Sequence, residues 1–151
     1  MLPISNTIFL KGDFTKLETQ NKIMKFFNTR IDTVVSDMAP NTTGNKELDS
    51  LRTGNLCLNA LEFSRKILKT NAYFVSKIFM GAIFKEIQLR AKEIFKEVLI
   101  FKPKSSRKES KEIYIFCKNL KVSNDWAIYF TNIDYFFIFI NCFFPRFNHN
   151  C

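Results

Sequence analysis

The chain has 151 residues, 46% of them hydrophobic, which is enough for one domain with an ordinary buried core. Its formal charge of +9, from 23 Lys and Arg against 14 Asp and Glu, points to polyanionic partners, either nucleic acid or an anionic membrane surface. A lone histidine near the end, His149, and four cysteines without a CxxC pair (Cys57, Cys117, Cys142, Cys151) argue against His-based catalysis, a metal site and a disulfide framework.

Residues 7–10 (TIFL) form a short apolar run that stops at Gly12-Asp13, the pattern of a buried strand and turn. Residues 16–28 carry Leu17, Ile23, Met24, Phe26 and Phe27 at the spacing of an amphipathic helix. Residues 31–36 (IDTVVS) are the second strand, and 50–70 the longest helix, striped by Leu51, Cys57, Leu58, Leu61, Ile67 and Leu68. Residues 73–79 (YFVSKIF) give a third strand, aromatic and β-branched. A further helix is expected over 83–95, and strands over 98–101 and 112–117. Strands alternating with helices imply an α/β fold with a mostly parallel sheet covered on both faces. The loop KPKSSRKESK between the last two strands is too short and polar for a crossover helix, so those two should pair antiparallel.

From residue 122 the composition changes. Trp126, Tyr129, Phe130, Tyr135, Phe136, Phe137, Phe139, Phe143, Phe144 and Phe147 follow one another with no regular polar face. Residues 127–144 approach the length of a membrane span, which needs about 20 predominantly apolar residues, but Asn132, Asp134 and Asn141 interrupt them. Residues 1–121 are therefore set apart as the domain, and 122–151 as an aromatic tail outside it. Sequence read through after a frame change accounts for the tail better than a membrane anchor, which stays a minor reading.

Three charged residues stand at strand ends. Asp37 lies in VVSDMAPNTTG, where an apolar strand delivers a carboxylate and then turns through Pro40 and Asn41. Lys77 lies inside FVSKIFMG, an apolar strand where an uncompensated charge is costly. Glu112 opens the last strand. Singly, each has an ordinary explanation: an Asx turn or helix N-cap for Asp37, a snorkelling stem for Lys77, a solvated surface for Glu112. Together they could share one edge of the sheet, the edge where open α/β sheets bind ligands.

Here the chain resembles a family. FLKGDF (9–14), VVSDMAPNTTG, FVSKIFMG and KPKSSRKESKEIYI (102–115) resemble, in order and spacing, the carboxyl-terminal part of the FtsJ/RrmJ ribosomal RNA 2′-O-methyltransferases. The resemblance implies a Rossmann-like sheet with its last strand antiparallel and S-adenosylmethionine as cofactor. It also implies a Lys-Asp-Lys-Glu tetrad of which Asp37, Lys77 and Glu112 are the last three members, Lys77 being the general base. Asp13 and Phe14 would lie beside the adenine, and Asp37 would meet the methionine end of the cofactor. A lysine serves as a base only when desolvation or a neighbouring cation lowers its pKa from about 10.4. A carboxylate works against that, and the family's other lysine would offset it. Lys102, Lys104, Arg107, Lys108 and Lys111 border this site and would hold phosphates of ribosomal RNA in the large subunit.

The chain also departs from the family. Its four glycines (Gly12, Gly44, Gly54, Gly81) make no Gly-rich turn, and the first tetrad lysine and the ribose-binding acidic residue have no counterpart. By resemblance the first two strands of the sheet are missing, and MLPIS reads as the middle of a domain. The strand at 7–10 would then have no native neighbour, and must re-pair beside 31–36 or stay loose. The expected protein is cytoplasmic, needs no metal and belongs to ribosomal RNA methylation. Alone it is expected to be inactive, and an inactive remnant retaining basic RNA binding is the alternative.

Overall fold

A computed structural model describes residues 8–40, 43–104, 110–121 and 137–140. Its elements are α1 (Leu17–Phe27), β1 (Ile31–Ser36), α2 (Lys46–Ile67), β2 (Leu68–Phe79), α3 (Phe84–Ile94), β3 (Phe95–Phe101), β4 (Glu112–Leu120) and β5 (Phe137–Ile140). The sheet order is β3-β4-β2-β1-β5. β1 and β2 are parallel, and β4 runs antiparallel to both β2 and β3. This is the α/β sheet with a late antiparallel strand that the loop length implied.

Local chemistry explains the boundaries. α1 ends where Asn28 takes a left-handed conformation (φ 50) and its N–H donates to Met24 O, a stop that asparagine tolerates. α2 starts at Lys46, earlier than expected, because the Asn45 side chain accepts from the N–H groups of Glu47 and Leu48 at 3.0 and 3.2 Å. Glu47 and Asp49 place negative charge in that first turn, where the helix dipole favours it. Asn45→Ala should therefore cost about 1 kcal/mol. A lowered urea midpoint with an unchanged slope would register that loss.

The core lies on one side of the sheet. Phe74, Ile78, Ile115 and Cys117 are fully buried beneath Leu61 and Phe63 of α2 and Ile87 and Ala91 of α3. Phe74 stacks on Phe95 at 6.0 Å, joining β2 to the start of β3. α2 and α3 approach closely at Gly54, where a Cβ would lie 2.2 Å from Ile83 Cγ2. Phe14, just before α1, meets Phe63 edge-on at 5.2 Å.

Two expectations need correction. Residues 8–10 form no strand, and Ile8, Phe9 and Leu10 are exposed. A strand needs a partner, and the free edge of β1 is taken instead by β5, in parallel register from Thr33 opposite Phe137 to Ser36 opposite Ile140. The four residues of β5 belong to the segment 122–151. Finally, where cover on both faces was expected, no helix among the described residues packs on the face carrying Tyr73, Val75 and Lys77, which stay partly exposed.

Candidate active site at the sheet rim

β1 and β2 are parallel, so their carboxyl ends share one rim. Asp37 is the first residue beyond β1 and Lys77 lies two residues before the end of β2. Lys77 Nζ stands 2.6 Å from Asp37 Oδ1. The Lys77 side chain is only 14% exposed, so its ammonium is held in a largely apolar strand by that one carboxylate. Asp37 Oδ1 is itself buried and has Lys77 Nζ as its ionic partner. Asp37 does not cap α2, since Asn45 does that eight residues later.

β4 enters the sheet at the same rim because it runs antiparallel to β2. Lys77 lies opposite Tyr114, and Phe79 opposite Glu112. Directly opposed residues share a face, so Glu112 is a diagonal neighbour of Lys77 on the same face, at a Cα spacing of roughly 7–8 Å. The structure thus brings Asp37, Lys77 and Glu112 to one rim, and puts Asp37 and Lys77 in contact. No sequence spacing could foresee that contact, because 40 residues separate the two.

Asp13 and Phe14 come just before α1, which three residues join to β1. The Asp13 carboxylate accepts from Thr15 N–H at 3.0 Å and Thr15 Oγ1–H at 2.7 Å. Those two bonds hold its pKa below the usual carboxylate value. Phe14 is buried in the core as a whole residue, and its carbonyl accepts from Gln20 Nε2 at 3.1 Å.

Of the basic loop, Lys102, Lys104 and Lys111 are exposed at this rim, while Arg107 and Lys108 lie outside the described residues. Lys102 Nζ donates to Ser110 O at 2.8 Å, and Met80 N–H to Lys111 O at 3.0 Å, tying the loop to the end of β2. One positioning pair escaped the sequence reading. A Cβ on Gly81 would lie 1.9 Å from Ser50 Oγ, so only glycine lets the end of β2 close on the first turns of α2. Ser50 Oγ–H also reaches Phe79 O, at 3.5 Å. The available hint was a glycine directly after a strand.

Two thiols are not part of this chemistry. Cys57 is buried beside Ser76, and burial pushes its pKa up to about 12; Cys117 is raised for the same reason. Neither is a thiolate at neutral pH. Among the described residues no cluster of three His, Cys, Asp or Glu could hold a metal, and no helix is long and apolar enough to cross a membrane.

Comparison with known proteins bears on this rim. Residues 1–120 match the family model described as FtsJ-like methyltransferase. A Pelagibacter ubique protein named ribosomal RNA large subunit methyltransferase E is 55% identical over 121 residues, 80% of this chain and 60% of that protein. A Rickettsia akari protein of the same name is 44% identical over 119 residues, covering 79% of this chain and 52% of its own length. The chain therefore spans between half and three-fifths of these relatives. A crystal structure of a ribosomal RNA methyltransferase from Plasmodium falciparum superimposes with a TM-score of 0.68 at 28% identity, over 80% of this chain and 67% of the other.

Proposed function

Because the chain belongs to the FtsJ-like methyltransferase family, we propose that its rim is part of a site that methylates a ribose 2′-hydroxyl of a uridine in large-subunit (23S) ribosomal RNA in the cytoplasm. The observation that supports this most is the contact between Lys77 and Asp37, with Glu112 diagonal to it. In this reading Lys77 takes the proton of the attacking hydroxyl. Asp37 sets the position of the Lys77 amine, and Glu112 borders the same pocket. Most of the rate then comes from holding the oxygen in line and removing its proton. Lys102, Lys104, Arg107, Lys108 and Lys111 supply sequence-independent phosphate contacts.

S-adenosylmethionine would supply an electrophilic methyl group on a sulfonium. The residues present fit it on one side only. Asp37 supplies a carboxylate at the rim, of a kind suited to a cationic amine, with Lys77 already against its Oδ1. No glycine offers a backbone cradle: Gly54 and Gly81 are packed against Ile83 and Ser50, Gly12 against Thr19, and Gly44 precedes α2 with φ +83. No step is therefore routed through the cofactor on this chain.

Two experiments separate the parts of this reading. Calorimetry on the isolated chain should detect no micromolar binding of S-adenosylmethionine; finding it would overturn the one-sided pocket. In a chimera, residues 1–121 replace the matching segment of the Pelagibacter relative. It should transfer label from tritiated S-adenosylmethionine to a ribose oxygen of undermethylated large subunits. A folded chimera without transfer would end the assignment.

A further inference from the structure

Residues 37–45 join β1 to α2. The near end of this link is fixed by Met38, which is buried in the core directly after Asp37. Its far end is fixed by Asp49 of α2, whose Oδ1 accepts from Thr43 N–H at 2.8 Å and from Thr43 Oγ1–H at 2.9 Å. Thr43 Oγ1 in turn accepts from Asn45 N–H at 3.3 Å, across Gly44 in the left-handed region at φ 83. These bonds are not what starts the helix. Asn45 already takes the N–H groups of Glu47 and Leu48, whereas the Asp49 carboxylate reaches back past the cap to the link. The next residue grips the other strand. Ser50 Oγ–H reaches Phe79 O at 3.5 Å, and Ser50 closes on Gly81, just beyond the end of β2. Consecutive residues of one helical turn therefore hold the exits of the two strands that bring Asp37 and Lys77 to 2.6 Å.

We propose, on the reading of this rim as a methyl-transfer site, that Asp49 is a positioning residue: by tethering Thr43 it holds the far end of the link, so that Asp37 meets Lys77 in a single arrangement. Asp49 touches neither substrate nor the reacting atoms and acts only through the link. The Thr43 N–H above all keeps its carboxyl below the ordinary carboxylate value, so it is an ionised acceptor at neutral pH. Without the tether the link is held at Met38 alone, and the Asp37 carboxylate and the Lys77 amine can take up other separations. Misplacing a reacting group by about 1 Å can cost about 10²-fold in rate.

The test measures kcat and KM of the chimera on undermethylated large subunits. Asp49→Ala should lower kcat about 10–10²-fold while KM stays within about twofold, because the tether touches no phosphate contact. Asparagine keeps the accepting oxygen at the same reach and removes the charge, whereas glutamate keeps the charge and moves the oxygen by one methylene. Asp49→Asn should therefore return to within about threefold of the parent, and Asp49→Glu should not. A role through the helix dipole would reverse that order, because the dipole responds to charge. Glu47→Gln removes a charge from the same turn, its side chain makes none of these bonds, and it should leave kcat unchanged. In the full chain, Asp49→Ala should also shift the backbone amide resonance of Asp37, and Glu47→Gln should not. An active chimera indifferent to Asp49→Ala, or restored by glutamate and not by asparagine, overturns the role of Asp49, as does an unmoved Asp37 resonance. An unaltered chimera that folds but transfers no label ends the methyl-transfer reading itself, so the two failures are distinct.

Discussion

Lys77→Met in the chimera is expected to lower the methyl-transfer rate about 10²–10⁴-fold, the range for loss of a positioned proton acceptor. Methionine keeps the length and apolar stem that suit a side chain only 14% exposed in β2, so the fold should survive. Lys77→Arg is the sharper variant. Arginine keeps a positive charge beside Asp37 but does not release its proton in proteins. If Lys77 acts as a base, arginine is as damaging as methionine. If it serves only as an electrostatic anchor, arginine restores most of the rate. Single-turnover kinetics with tritiated S-adenosylmethionine tell the two apart, and an arginine variant within threefold of the parent would remove Lys77 from the role of base.

Phe63→Ala should have the largest effect on stability. The ring is fully buried on α2 and meets Phe14 edge-on at 5.2 Å. Truncating such a phenylalanine costs about 3–5 kcal/mol, from lost transfer energy and the cavity left behind. That is a large share of a domain stability of about 5–15 kcal/mol, so the alanine variant should be unfolded or nearly so at 25 °C. Phe63→Leu keeps most of the volume and should cost less than about 1.5 kcal/mol, readable as a shift in urea midpoint. Because Phe14 loses its ring partner, amide exchange should also speed up from Phe14 to Lys16. A stable alanine variant would mean that α2 is not the anchor of this core.

The accuracy of the sequence reading follows from where local signals suffice. β1 ends where expected because an apolar run is bounded by turn residues on both sides. α2 begins earlier than its apolar stripe suggests, since its first turn, Lys46 to Asp49, is polar and is marked by a cap instead. β2 begins at Leu68, not Tyr73, directly after the helix, where Lys69, Thr70 and Asn71 carry no strand signature. β3 likewise follows α3 with no loop, so Phe95 reads as helix. The two faces of β4 do not differ in sequence. Ile113, Ile115 and Cys117 point into the core, but Tyr114 and Phe116 on the other side are also apolar, and no alternation in polarity shows. Residues 8–10 have strand propensity, but a strand forms only beside a partner. That Asp37, Lys77 and Glu112 could share one edge followed from their places at strand ends, whereas the roles expected of them came from resemblance to a family.

The pairing of β5 with β1 joins stretches about a hundred residues apart. A ribosome adding about 5–20 residues per second would need roughly 5–20 s to travel from one to the other. During that interval the nascent chain has finished β1, yet its hydrogen-bonding groups on that side await a sequence not yet translated. Chaperones that capture extended segments would meet it first, and the yield of correctly assembled protein should fall when translation is slowed between the two.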